Sequence, residues 1–277
     1  MPIEPATPAE SPRTVLLTGA AGGVGAVLRE ALPARGYALR LLDVRPVPGE
    51  PEAITADLAD REALRAAVRG TDAIVHLAGI SLEASFDAIL RANIEGTYRL
   101  YEAARAEGVR RVVFASSNHA VGFVPRPRAG EAPIPVAAPR RPDTFYGLSK
   151  GFGEDLAQLY WDLHGIETVS IRIGSCLPAP VDVRQLSLWL SPGDAGRLFH
   201  AALTAPDVGH TVVYGSSANT RLWWDLSSAR ALGYEPLDDS EPYAARLLAE
   251  QGELSETDPA HTRLGGAFTT DPPRWRE

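Results

Sequence analysis

The sequence predicts an α/β fold: a Rossmann-like, doubly wound parallel sheet followed by a small C-terminal substrate-binding region. Three observations carry this expectation. Short apolar runs alternate with helix-period patterns from residue 15 to residue 173. The runs are continuously apolar, as strands covered on both faces are. A glycine-rich turn, Thr18-Gly19-Ala20-Ala21-Gly22-Gly23-Val24-Gly25, joins the first run to the first helical pattern. Strands alternating with helices build βαβ units and hence a parallel sheet.

Taken in order, residues 15–18 read as a buried strand and 25–32 as a helix. Residues 39–43 and 53–56 read as the second and third strands, with a helix at 60–68 between the third and the fourth, 73–77. Residues 86–107 carry one long helical pattern, and 112–116 is the fifth strand. The Pro- and Arg-rich stretch 121–143 has no such period and is a long loop, which are usually functional or disordered. A helix at 147–164 and a strand at 168–173 close the regular part. Beyond it we expect a helix near 193–203, a strand at 211–214, a helix near 243–251 and an irregular polar tail of about 20 residues. The division is thus a flexible tail (1–13), a dinucleotide-binding domain with the catalytic residues (14–174), and a substrate-binding region with a C-terminal tail (175–277).

Composition narrows the function. At 277 residues, 45% hydrophobic and 22% charged, the chain is neither disordered nor a coiled coil. No apolar run approaches the ~20 residues of a membrane span. Residues 1–12 lack the basic start and apolar core of a signal peptide, so a cytoplasmic location is expected. A single cysteine, Cys176, excludes an internal disulfide and any multi-cysteine metal site; no metal is expected, and the thiol reads as a small buried side chain. The net charge of −8 argues against nucleic acid as a partner. Of 27 basic residues only Lys150 is lysine, which is either chance or a position where arginine cannot serve.

The glycine turn has the strand–turn–helix context of a dinucleotide site. Gly19, Gly22 and Gly25 let the turn tighten, the backbone approach a pyrophosphate and the helix pack on the sheet. The N–H groups of Gly23 and Val24 at the helix start then face the anion. Asp43 closes the second strand, where a carboxylate accepts ribose hydroxyls and repels a 2′-phosphate, favouring NAD. Arg45 nearby is either a host for that phosphate or a solvated loop charge. Asp57 and Leu58 fall where an adenine would lie, or Asp57 is a helix cap. Leu77, Ala78 and Gly79 end the fourth strand with small residues where the cofactor passes, and His76 reads as a packed core histidine. Asn93 anchors either the structure or a water, and Ile173 ends the sixth strand beside the cofactor.

Tyr146-Gly147-Leu148-Ser149-Lys150 sets a phenol and the only lysine at i, i+4 on one helix face. An ammonium beside a phenol favours the phenolate, lowering a pKa of about 10, and the phenolate can act as general base. Ser116-Ser117-Asn118-His119 ends the fifth strand at the carboxyl edge of the sheet, where α/β ligands bind. A hydroxyl there orients a substrate oxygen, or only forms a turn.

As a set, these residues resemble the extended branch of the short-chain dehydrogenase/reductase superfamily, over residues 14–174. The resemblance implies Ser117, Tyr146 and Lys150 as the catalytic triad, with the hydroxyl one step before Asn118, and Lys150 as a second ligand of the nicotinamide ribose. Only 103 residues follow Gly174 (277 − 174), which favours a small substrate over the nucleotide-sugars of larger members. Ala78-Gly79-Ile80-Ser81, Ile171-Arg172-Ile173-Gly174-Ser175-Cys176, Ser187-Leu188-Trp189-Leu190-Ser191 and Trp223-Trp224-Asp225 are similar to the uronate dehydrogenase family in particular. That family oxidises C1 of cyclic D-glucuronate or D-galacturonate with NAD to an aldarolactone. It implies substrate contacts from Ser81, Ser117, Asn118, His119, Tyr146, Ser175 and Arg184, and a homo-oligomer. The segment Val181-Asp182-Val183 before Arg184 departs from the family pattern. An acidic protein needs a local cation for a uronate carboxylate, and a guanidinium such as Arg184 suits it. His119 either bonds a sugar hydroxyl or caps the strand. The alternatives are a nucleotide-sugar epimerase or reductase of the same branch, and an NAD-sensing regulator without turnover, against which the Tyr/Lys pair argues.

Overall fold

The computed structural model describes residues 14–270. The predicted N-terminal tail, residues 1–13, lies outside the described residues. The first half comprises β1 (Thr14–Thr18), α1 (Gly23–Ala31), β2 (Ala38–Asp43), β3 (Ile54–Thr55), α2 (Arg61–Val68), β4 (Ala73–His76), α3 (Phe86–Ile89), α4 (Gly96–Glu107) and β5 (Arg111–Ser117). The second half follows with α5 (Phe145–His164), β6 (Glu167–Ile173), β7 (Ser175–Cys176), β8 (Trp189–Leu190), α6 (Pro192–Thr204), β9 (His210–Gly215), α7 (Ser227–Ala231), α8 (Ala244–Gln251) and α9 (Pro259–Thr262).

Seven strands form one parallel sheet in the order β3-β2-β1-β4-β5-β6-β9. Successive side chains of a strand point to opposite faces. On β1, Val15 and Leu17 join a core with Leu28 of α1 and Phe199 of α6. Leu16 between them packs with Leu64 of α2, Leu100 of α4 and Leu156 of α5. Both faces are therefore covered by helices, and a strand with no polar face is what that burial requires. Truncating a fully buried side chain such as Leu16 to alanine costs about 2–5 kcal/mol. The strand order reverses between β1 and β4, which opens a crevice at the carboxyl edge. No described helix is long and apolar enough to cross a membrane.

The structure departs from the sequence reading in three places. The helical pattern 86–107 is not one α-helix: Leu90–Glu95 is a π-helix between α3 and α4. It swings Asn93 inward, where Oδ1 accepts from the Ile80 N–H at 2.8 Å. Asn93 Nδ2 donates to the Ile80 carbonyl and to Ser149 Oγ, both at 2.9 Å. Second, the loop 121–143 is pinned: Val121 and Ile134 enter an apolar cluster with Trp223, Trp224 and Leu264, and Ile134 bridges to Trp224. Third, the expected irregular tail contains α9 and a 3₁₀ turn, Gly266–Thr269, and its Leu264 is fully buried. Across the expected division at 174, β9 supplies the seventh strand and α6 packs on α1.

Candidate active site

A cavity of about 920 Å³ runs along the carboxyl ends of β1, β2, β4, β5 and β6. One end is the glycine turn. Gly19 has φ +71°, and a Cβ there would stand 2.7 Å from the Ala78 N. A Cβ on Gly25 would meet the Gly19 carbonyl at 2.5 Å. Gly22 is the N-cap of α1 with no side-chain cap, so the first-turn N–H groups of α1 are free to meet an anion at the cavity wall. Asp43 is buried at the end of β2. Its Oδ2 accepts from the Ala21 N–H and its Oδ1 from the Arg45 N–H, both at 2.9 Å, which fixes the carboxylate on the cavity wall. Arg45 Nε lies 3.7 Å from Asp43 Oδ1 and its side chain is mostly exposed. Asp57 Oδ1 accepts from the Ala59 N–H at 2.8 Å and turns the chain, while Asp60 caps α2. The glycine cradle, the helix N-terminus and the fixed carboxylate fit the pyrophosphate and ribose of a dinucleotide. Leu58, Leu77, Ala78, Gly79 and Ile173 line the cavity with them.

The other end holds the phenol and the lysine. Thr144 caps α5, its Oγ1 accepting from the Gly147 N–H at 2.9 Å, so Tyr146 and Lys150 project from the first turns of a well-anchored helix. The Ser117 hydroxyl stands close enough to the Tyr146 phenol to favour its ionised form. Ser116, one residue earlier, points to the opposite face of the sheet and donates to Glu154 Oε1 at 2.6 Å, within a buried ion pair with Arg172. Strand alternation thus assigns Ser117, not Ser116, to the phenol. Burial pushes the Tyr146 pKa up, opposed by the Ser117 hydroxyl and reinforced by the charge of Asp143. Burial pushes the Lys150 pKa down to about 8. His76 behaves as a core residue: Nδ1 meets Thr18 Oγ1 at 2.8 Å and Nε2 meets Thr97 Oγ1 at 3.2 Å. Burial first and the Lys150 charge second lower its pKa to about 3, so it is neutral.

Most of the expected residues meet in this cavity: Ser81, Ser117, Asn118, His119, Tyr146 and Lys150 at one end, and the glycine turn, Asp43, Asp57 and Leu58 at the other. Asn93, Ser175 and Arg184 do not line it. Asn93, read as an anchor for either the structure or a water, holds the 80-loop through two bonds to the Ile80 backbone. Ser175 lies on β7 between two lining residues, Gly174 and Cys176. The Arg184 guanidinium is buried behind the C-terminal segment: Nη2 donates to the Leu264 carbonyl, and Nε has no hydrogen-bond partner among the described residues. Burial lowers its pKa to about 10, a loss partly offset by Asp182 and Asp143. Asn118 Nδ2 donates to the same Leu264 carbonyl at 3.3 Å, so Arg184 and the cavity-lining Asn118 share one acceptor.

Three residues escaped the sequence reading. Phe268 lines the cavity and lies on His119, ring centres 4.1 Å apart. Asp143 Oδ2 meets His119 Nδ1 at 2.7 Å. Glu83 Oε2 accepts from the Tyr146 N–H at 3.1 Å. No local pattern marks any of them, because each acts on a partner far along the chain.

Comparison with known proteins gives concordant results. The family described as "NAD dependent epimerase/dehydratase family" matches residues 15–177. A uronate dehydrogenase of Pseudomonas syringae pv. tomato is 50% identical over 263 residues, 94% of this chain and 94% of that protein. A solved mutant uronate dehydrogenase superposes with a TM-score of 0.89 at 47% identity, covering 95% of each chain. A tyrosine-to-alanine mutant of the Agrobacterium tumefaciens uronate dehydrogenase, complexed with NAD, gives 0.88 at 43% identity, covering 95% of this chain and 99% of that one.

Proposed function

The chain belongs to the NAD-dependent epimerase/dehydratase family and, within it, to the uronate dehydrogenases, and from that premise we propose that it oxidises C1 of cyclic D-glucuronate and D-galacturonate to the aldarolactone. One observation carries this reading: the Ser117–Tyr146 hydroxyl pair stands beside the only lysine, at one end of a cavity whose other end is built for a dinucleotide. NAD, when bound, supplies the hydride acceptor.

The chain's own residues have three tasks. The first turn of α1 and Asp43 hold the dinucleotide by its pyrophosphate and ribose. Ser117 and Tyr146 receive the C1 hydroxyl, and Tyr146 Oη takes its proton as the hydride leaves C1. Burial favours the neutral phenol, so the base must be supported by positive charge on Lys150, whose ammonium persists below about pH 8. Lys150 also donates to the nicotinamide ribose. On the substrate side, Ser81, Asn118 and His119 bond the sugar hydroxyls. Arg184 meets the carboxylate, a role supported by its buried Nε, unpartnered among the described residues, and by the carbonyl it shares with cavity-lining Asn118. The region from 175 onward thus serves the substrate end, through Ser175, Arg184 and Phe268.

The reading extends to a homo-oligomer working in the cytoplasm. Tyr98 on α4 with Leu148 and Leu159 on α5 are exposed apolar side chains that a second copy would cover. The test of the function is product analysis. One NADH should form per uronate consumed, with a C1-oxidised lactone as the first product in the NMR spectrum. Uronate recovered as its epimer with no net NADH, or no reaction, would overturn it.

A further inference from the structure

Asp143 is the most tightly enclosed carboxylate at the site. Its side chain is fully buried, and it ends the Pro- and Arg-rich loop immediately before the α5 cap. Oδ2 meets His119 Nδ1 at 2.7 Å, and Oδ1 accepts from Thr144 Oγ1 at 3.0 Å. Two glycines from distant segments close on it. A Cβ on either Gly122 or Gly265 would overlap Oδ2. Gly122 and Gly265 have φ of −57° and −74°, values open to any residue, so the backbone does not demand glycine at either place. The space for this carboxylate does. A third glycine, Gly147, brings α5 against the His119 carbonyl and within 3.1 Å of Oδ1 by the same measure.

A carboxylate can only accept at His119 Nδ1, so Nδ1 must carry a proton. His119 Nε2 makes no hydrogen bond among the described residues, and the ring lines the cavity between Tyr146 and Phe268. We propose that Asp143 is the positioning residue of the substrate site: it fixes the tautomer and tilt of His119, so that Nε2 meets the sugar. Through Thr144 the same carboxylate steadies the start of the helix that carries Tyr146 and Lys150. The substrate half of this inference rests on the uronate reading above; the tautomer half does not.

Asp143→Asn is isosteric and keeps an acceptor for Thr144, so the fold should persist. With Oδ1 on Thr144, its amide N–H₂ faces Nδ1, which turns that nitrogen into an acceptor and moves the ring proton to Nε2. Two measurements test this. Long-range ¹H–¹⁵N spectra of histidine-labelled protein should find the His119 proton on Nδ1 in the wild type and on Nε2 in Asp143→Asn. A wild-type Nε2–H tautomer would overturn the proposal whatever the substrate. Second, kcat/KM for galacturonate should fall roughly 10- to 100-fold in Asp143→Asn, as when a buried hydrogen bond is left unmade, with NAD affinity unchanged. In a His119→Ala background the same change should cost less than about twofold, since the coupled pair is already broken. Equal losses in the two backgrounds would show a structural role and overturn it. A wild type that leaves uronates untouched would end the functional reading, while the spectra would still decide this one.

Discussion

Lys150 Nζ stands 5.5 Å from the centre of the Tyr146 ring and 5.1 Å from that of Phe114, buried at the base of the cavity. The placement comes at the expense of the lysine, because burial lowers the Lys150 pKa from 10.5 to about 8. A base whose pKa falls on folding weakens the fold wherever it is charged. The penalty is complete below about pH 8, shrinks between about 8 and 10.5 as the folded form alone is neutral, and is absent above. Lys150→Met should therefore abolish turnover yet raise Tm by a few degrees at neutral pH, and the gain should fade on approaching pH 10.5. Thermal melts across pH check it; a Tm gain that grows with pH would contradict it.

Asp43 is held by the N–H groups of Ala21 and Arg45, which fixes on the cavity wall a carboxylate proposed to accept the ribose hydroxyls and repel a 2′-phosphate. The wild type should strongly prefer NAD over NADP. Asp43→Ser should narrow the preference from both directions, since NAD loses an acceptor and the phosphate loses a repulsion. Equal wild-type kcat/KM with the two cofactors would make the exposed Arg45 the dominant residue.

Tyr146→Phe retains the ring against His119 and removes only the hydroxyl close to that of Ser117. Rates should fall about 10²–10⁴-fold, the usual worth of a general base. NAD binding, measured by calorimetry, should survive. The wild-type rate should rise with pH through one ionisation, and that limb should vanish in the variant. A near wild-type kcat would move the base elsewhere, with His119 the next residue to substitute.

Much of the fold was legible because the sheet is buried on both faces: β1, β4 and β5 are announced by continuous apolar runs at 15–17, 73–75 and 112–115. The glycine turn, Asp43, Tyr146 and Lys150 were legible because their spacing is local. Ser117 follows from alternation along β5, which sends Ser116 to Glu154. What stayed hidden depends on partners distant in sequence. Asp143 acts on His119, 24 residues away, from inside a loop that reads only as Pro- and Arg-rich. The π-helix at Leu90–Glu95 is drawn in by Asn93 bonding the Ile80 backbone, which no helical period encodes. The segment around Leu264 looked irregular because backbone groups tie it down, the Leu264 carbonyl to Asn118 and Arg184, the Gly265 N–H to the Gly122 carbonyl.

Arg184 is proposed to meet the substrate carboxylate, and on that proposal its loss should cost about 10- to 150-fold in kcat/KM, the worth of a buried charge-assisted hydrogen bond of roughly 1.5–3 kcal/mol. Arg184→Lys should not restore activity, because one ammonium cannot reproduce the guanidinium fork that also holds Leu264. The loss should appear with uronates and be absent for any residual turnover of neutral aldoses. An unchanged kcat/KM in a folded Arg184→Ala enzyme would remove it from the site.

The proposed enzyme selects a sugar by its carboxylate and oxidises it at C1. The most direct measurement is the ratio of kcat/KM for galacturonate to that for galactose, read as NADH formation by the wild-type enzyme. The two sugars share the C1 hydroxyl and its neighbours, so only the carboxylate distinguishes them. A well-placed guanidinium contact predicts a preference of at least about tenfold for galacturonate. Comparable values for the two sugars would contradict the account.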